Sequence, residues 1–132
     1  MLQTLTVRTS SRNEFLDLTR EIQAAVLESG VREGLCHLFV PHTTAALTIN
    51  ENADPSVKSD ILMVLNKIIS DQEPYRHLEG NSPAHIKASL LGPQLTLMVS
   101  GGRLVLGTWQ GIYLCEFDGP RSRRLHLKVM GD

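Results

Sequence analysis

Four polar runs stand at the ends of apolar segments: His42-Thr43-Thr44, Asn50-Glu51-Asn52-Ala53-Asp54, His77 through His85, and Gly107-Thr108-Trp109-Gln110. Element ends and loops are where scaffolds present reactive groups. His42, His77 and His85 all lie in these runs. Imidazole titrates near neutral pH and also ligates metals, while carboxylates add a base or a hard oxygen donor. Two imidazoles and two carboxylates in one cleft could do acid–base work, hold a metal or bind a phosphate. His42, Glu51, His77, Asn81 and His85 are therefore expected to converge, within a subunit or across an interface.

Each candidate also has a plainer explanation. His42 follows Leu38 and Val40 on one strand face, as a structural histidine would, but two hydroxyls follow it at once. Asn50 and Asp54 suit a turn and a helix cap. Glu51 is explained by neither, and Asp60 lies on the border of a helix's apolar stripe, where a solvated flank is the alternative. Ser82 suits a helix cap. Beyond it, His85 lies near the amides of a helix start, which attract anions. Ser89 shares its face one turn on. Asn81, Ser82, His85 and Ser89 thus outline a phosphate or carboxylate pocket. The His77/His85 spacing matches no familiar zinc motif. Trp109 reads first as core, between Gly107 and Gln110. Arg121 and Arg123 fall on the inward face of the last strand, where an unpaired charge is costly; Glu116, Asp118 or a ligand phosphate would answer them.

The elements that must position these residues are legible from periodicity. Leu2–Thr9 alternates as a half-buried strand. Over 13–29, Phe15, Leu18, Ile22, Ala25 and Val26 recur at helical spacing, and Gly30 supplies a stop. Leu35–Val40 and Ala45–Asn50 read as strands that either pair or bend apart. Asp54-Pro55 opens a helix with Val57, Ile61, Val64, Leu65 and Ile68 on one stripe. A polar loop over 70–81 leads to a short helix from Ser82, carrying Ile86, Leu90 and Leu91 and ended by Gly92-Pro93. Strands follow at Gln94–Val99, Leu104–Leu106, Gln110–Phe117 and Arg121–Val129, with turns at Gly101-Gly102 and Gly119-Pro120. The pattern is α+β, a mostly antiparallel, sandwich-like sheet core with two to three helices packed on one side.

The 132 residues fit a single domain spanning 1–132, large enough to bury a core. With 13 basic and 14 acidic residues there is no excess of positive charge to suggest nucleic acid as a partner. No apolar run would span a bilayer, and the N-terminus is no signal peptide, so the expected location is the cytoplasm. Cys36 and Cys115 sit inside apolar strands without a CxxC motif, and read as buried thiols.

Three stretches together resemble the YjbQ-like family of small bacterial and archaeal proteins: HTTAALTINENADPSVKSDI at 42–61, HLEGNSPAHIKASLLG at 77–92 and GGRLVLGTWQGIYLCEFDGPRSRRLHLKV at 101–129. The resemblance implies a compact α+β, sandwich-like subunit and a homotrimer. It carries the family's recurring polar positions onto His42, Asn50, Glu51, Asp60, His77, Asn81, His85, Ser89, Trp109, Gln110 and Arg121. Some members are described as a secondary thiamine-phosphate synthase, which implies a transferase joining a hydroxymethyl-pyrimidine diphosphate to a thiazole phosphate. Arg121, the helix start at Ser82–His85, and Mg²⁺ on Glu51 or Asp60 would then stabilise the leaving diphosphate. The alternatives are a module binding a small anion or divalent metal without turnover, and a metal-dependent hydrolase, for which Zn²⁺ on histidines is the natural ion. The partner in each case is a small phosphorylated or anionic molecule.

Overall fold

The computed structural model describes residues 1–132. Its elements run β1 (Gln3–Arg8), β2 (Glu14–Asp17), α1 (Thr19–Ser29), β3 (Glu33–Phe39), β4 (Ala45–Glu51), α2 (Pro55–Ile68), α3 (Ser82–Leu91), β5 (Gln94–Ser100), β6 (Arg103–Leu104), β7 (Gln110–Glu116) and β8 (Ser122–Gly131). Five strands form one sheet in the order β1-β8-β3-β5-β6, and three form a second, β2-β7-β4. Every neighbouring pair is antiparallel.

Alternation along β4 and β7 builds two apolar layers, because successive side chains point to opposite faces. Leu47, Ile112 and Leu114 point between the sheets and meet Leu38, Leu125 and Leu127. Each is essentially sealed from water, which contributes about 1.5–3 kcal/mol per side chain. Ala46, Tyr113 and Cys115 point the other way, into a smaller cluster with Phe15, Phe117, Ala84 and Ala88, flanked by Ile61, Leu62 and Leu65. Thus α2 and α3 cover the outer face of the small sheet. Helix α1 instead closes the layer between the sheets with Ile22, Ala25 and Val26.

The expected helix over 13–29 is shorter than its periodicity suggests. Glu14–Asp17 is a strand, paired with Tyr113–Glu116. Phe15 fits the helical spacing by coincidence; its ring stacks at 5.7 Å on Tyr113 and 6.4 Å on Phe117, in the layer opposite the one α1 fills. Pairing along β7 overrides the local pattern. The helix then runs from Thr19 and stops at Gly30, whose φ of 75° is left-handed. Asp54 caps α2 as expected, its Oδ1 accepting from Ser56 N at 2.9 Å ahead of Pro55. Only part of the α2 stripe is used: Ile61 and Leu65 pack inward, while Val64 and Ile68 are exposed with Met63. On α3 Leu91 packs inward as expected, but the other two apolar residues do not. Ile86 and Leu90 face outward, and the buried side is Pro83, Ala84, Lys87 and Ala88. Ala84 and Ala88 have no bulk to hold the helix off the sheet, so the larger apolar groups are left on the far side.

Candidate functional site

A cavity of about 430 Å³ opens where β4 begins, β7 ends and β8 begins. Thr43, Thr44, His77, Glu79, Asn81, His85, Asp118 and Arg121 line it, with no apolar side chain among them. A second cavity of about 300 Å³ shares Thr43 and His85, and adds His42, Ala45, Ala88, Ser89 and Pro93. A third of about 230 Å³ shares His77, and adds Arg12, Asp71, Tyr75, Gly80, Ser82 and Pro83. His77, His85, Asn81, Ser82, Ser89, Arg121 and His42 are therefore gathered around the start of α3.

The two imidazoles of the main cavity lie edge to face, with ring centroids 5.2 Å apart. His77 Nε2 is 3.9 Å from a Glu79 carboxylate oxygen. Across the cavity, Arg121 reaches Asp118 twice: Nη2 to Oδ2 at 3.2 Å and Nε to the backbone oxygen at 2.9 Å. Asn81 Nδ2 donates to the same Asp118 Oδ2 at 2.9 Å. The acceptor-only carboxylate settles which way this amide points, so Asn81 Oδ1 is the atom left buried without a partner.

The start of α3 differs from the expectation of a Ser82 cap with free amides. Asn81 is the capping residue and its side chain bonds Asp118 instead of the helix. Pro83 has no N–H, and the amides of Ala84 and His85 both donate to Asn81 O. Anion binding here must rest on side chains more than on the helix end. Ser89 does share a face with His85, and its hydroxyl donates to His85 O at 2.8 Å.

Beneath the cavity is a buried polar network. Arg123 Nε donates to Glu116 Oε1 at 2.8 Å, and Nη2 bonds Glu116 Oε2. Nη2 also donates to Thr44 Oγ1 at 2.8 Å and Thr44 O at 3.1 Å. Glu116 further accepts from Thr9 Oγ1 at 2.8 Å and from Asp118 N at 3.0 Å. Burial alone would raise the Glu116 pKa, but the bonds from Arg123, Asp118 N–H and Thr9 hold it below the ordinary carboxylate value. Arg123 is inward as expected and finds Glu116, whereas Arg121 stands ahead of β8, about half exposed rather than inward, and pairs with Asp118 at the cavity.

His42 sits beside this network. Its Nε2 accepts from Arg124 N at 2.9 Å. Burial, followed by the nearby charges of Arg123 and Arg124, pushes its pKa below the ordinary imidazole value.

The structure does not bring every expected residue to this end. Six residue steps along β4 carry the chain about 20 Å away, so Glu51 and Asn50 belong to the opposite end of the small sheet. There Glu51 pairs with Gln110 and Asn50 with Gly111. Asn50 Oδ1 accepts from Glu51 N, and Gln110 Oε1 accepts from Gly107 N at 2.8 Å, closing its own turn. Trp109 is 62% exposed rather than core; it lies in the turn ahead of β7, where its oxygen accepts from Asn52 N. Asp60 is exposed on α2 and lines none of the cavities. No group of three or more His, Cys, Asp or Glu side chains is placed to hold a metal ion. Glu51 and Asp60, the carboxylates expected to hold Mg²⁺, line none of the three cavities.

Several residues at the site go beyond the motif reading. Glu79 and Asp118 line the main cavity, and Asp118 was legible only as a possible arginine partner. Lys87 lines none of the cavities and gives no signal in the sequence, because its alternation with Ile86 reads as surface. It is 4% exposed, with Nζ donating to Asn13 Oδ1 at 3.2 Å and to Asn66 Oδ1 at 2.5 Å, and lying over the Phe117 ring. Burial lowers its pKa. Cys36 and Cys115 are free and buried in different layers, as expected of core thiols. Burial pushes Cys36 up to about 11 and raises Cys115 as well.

Comparison with known proteins follows the whole chain. A family model described as UPF0047 protein YjbQ-like matches residues 3–132. The chain is 50% identical to UPF0047 protein YugU of Bacillus subtilis, over 99% of this chain and 100% of that one. It is 43% identical to UPF0047 protein YjbQ of Escherichia coli O157:H7, with 98% and 97% covered. A crystal structure from Clostridium acetobutylicum, described as an uncharacterized conserved protein of the YjbQ/UPF0047 family, superposes with a TM-score of 0.95 at 50% identity, covering 97% of this chain and 99% of that one.

Proposed function

The chain belongs to the YjbQ-like UPF0047 family, and from that premise we propose that the main cavity binds a phosphorylated small molecule and that the protein acts as a thiamine-phosphate-synthase-like transferase. One observation supports the binding: Arg121, His77 and His85 line a cavity of about 430 Å³ that has no apolar side chain. Such a lining suits a charged, hydrated ligand and would waste an apolar one. The arginine and imidazoles donate hydrogen bonds to phosphoryl oxygens, and the Glu79 and Asp118 carboxylates keep those donors aimed.

In the transfer, a C–N bond forms between the thiazole nitrogen and the pyrimidine methylene carbon. The C–O bond to diphosphate breaks, and pyrophosphate leaves with the electron pair. Arg121 and the two imidazoles stabilise that developing charge. The 132-residue chain cannot build the large barrel of the dedicated synthase, so this activity would have arisen on an unrelated scaffold. A pure anion-binding module is the second reading, because the same polar lining would hold a phosphoryl group without any turnover.

We further propose a homotrimer located in the cytoplasm. Exposed Met63, Val64 and Ile68 on α2 and Leu90 on α3 support self-association, and the two buried free thiols suit a reducing compartment. No helix is long and apolar enough to cross a membrane. The test supplies the pyrimidine diphosphate, the thiazole phosphate and Mg²⁺, and follows thiamine phosphate by chromatography beside pyrophosphate titration calorimetry. Product formation that His85→Ala abolishes supports the transferase. Pyrophosphate binding without product leaves the binding module. Neither binding nor product overturns both.

A further inference from the structure

We propose that His42 serves this site as a fixed neutral hydrogen-bond donor through Nδ1–H, facing an acceptor atom of the ligand, and moves no proton. The proposal rests on reading the adjoining cavities as a ligand site. Its basis is the end of the β3–β8 ladder. Phe39 pairs with His126 there, and continuing that register would set Pro41 opposite Arg124. Proline cannot donate to a ladder, and the strand pairing ends. The Arg124 amide is then taken up by His42, whose Nε2 accepts it at 2.9 Å. An imidazole nitrogen that accepts an N–H carries no proton, so the neutral ring must hold its hydrogen on Nδ1. Protonating Nε2 would set two N–H groups against each other and break the bond.

The surroundings act in the same direction. The charged groups near His42 are Arg121, Arg123 and Arg124 on β8 and its approach, opposed by Glu116 on β7. His85 on α3 shares its cavity, whose other lining residues, Thr43, Ala45, Ala88, Ser89 and Pro93, are uncharged. Burial and the arginines resist a further positive charge. With Nε2 occupied, Nδ1–H is the one polar group His42 can offer. The class of ligand atom it fits is an acceptor: a carbonyl, an unprotonated ring nitrogen or a phosphoryl oxygen. Proton transfer at this end then falls to His85 or His77, whose rings line the main cavity.

The test is long-range ¹H–¹⁵N NMR of the imidazoles of the whole protein, with His42 assigned from His42→Gln. The expected result is a protonated Nδ1 and a bare Nε2 from pH 7 to 9, with a titration midpoint below the ordinary value of ~6.5. A protonated Nε2 at pH 7, or a midpoint at or above ~6.5, overturns the proposal. A second measurement is pyrophosphate affinity between pH 6 and 8.5. In His42→Ala the affinity should keep its pH dependence, whereas loss of that dependence overturns the proposal. If pyrophosphate fails to bind the wild type, the phosphate reading fails, while the NMR result still decides the state of His42.

Discussion

Arg123 and Glu116 grip each other through two hydrogen bonds inside the layer between the sheets, at 2% and 0% exposure. The pair links the cavity's walls: Arg123 also bonds Thr44 at the start of β4, and Glu116 also bonds the amide of Asp118 beyond β7. A buried ion pair is weak evidence for stability, because desolvation can exceed the attraction. Breaking one is different, since it strands a charge. Arg123→Met should therefore cost about 3–5 kcal/mol, and Arg123→Met with Glu116→Leu should recover most of it. Urea unfolding of the three proteins checks this. Equal losses in the single and double variants would show that the pair is not the cause.

Acid should expose the same carboxylate. The folded pKa of Glu116 is depressed below 4.5. Its stabilising contribution is then full above about 4.5, and is lost as the pH falls through the folded pKa. Glu14 and Asp17 shift the same way, their hydrogen bonds from Ser10 and from Thr19 and Asn52 outweighing burial. His42 acts at higher pH. Its folded pKa is lowered, so the unfolded chain binds that proton more tightly, and stability should begin to fall below about pH 6.5. The urea midpoint should thus decline in two steps on acidification, near 6.5 and below 4.5. Glu116→Gln should shrink the lower step, which Glu14 and Asp17 share, and keep the onset of the upper one near 6.5, deepening it because the Glu116 charge favours His42 protonation. An unchanged lower step in that variant would contradict the assignment.

Gly119 offers a steric test of the same corner. A Cβ placed there would lie 2.3 Å from Ser11 O, 2.8 Å from Glu116 Cγ and 2.9 Å from Thr9 Oγ1. The first neighbour is backbone and cannot swing aside. Gly119→Ala should destabilise by about 1–3 kcal/mol through overpacking, and should also disturb the Thr9–Glu116 bond. A thermal melt reads the first effect. An unshifted melt would mean that the loop carrying Ser11 yields freely.

The sequence shows most of the strands, the α2 cap and the inward Arg123 because each rests on local pattern or on a charge that demands a partner. The β2 strand escaped it, since Phe15 continues the α1 spacing while its pairing partner, Cys115, is a hundred residues on. The site was half legible for a related reason. His77 and His85 lie on one loop–helix unit, so spacing alone brings them near. Glu51 resembles them by type, but the seven residues of β4 carry it to the other end of the sheet, opposite Gln110. Lys87 was invisible because its burial depends on α2 and on Asn13, which no local pattern links to it.

His85→Ala decides whether the imidazole pair is functional. The substitution removes a ring that lines two cavities and meets His77 at 5.2 Å. Its backbone bonds survive, because the His85 amide still donates to Asn81 O and the Ser89 hydroxyl still donates to His85 O. Alanine is also a better helix former, by up to ~0.7 kcal/mol. The ring makes no hydrogen bond to a buried partner, so its loss strands nothing. The variant should therefore keep the wild-type melting temperature and oligomeric mass. Pyrophosphate affinity, or transferase rate if turnover is observed, should fall tenfold or more, as for the loss of an acid–base group or a charged hydrogen bond. A structural histidine would give the reverse, a lower melting temperature with binding intact. That result would remove His85 from the site and leave Thr43 as the residue the two largest cavities share.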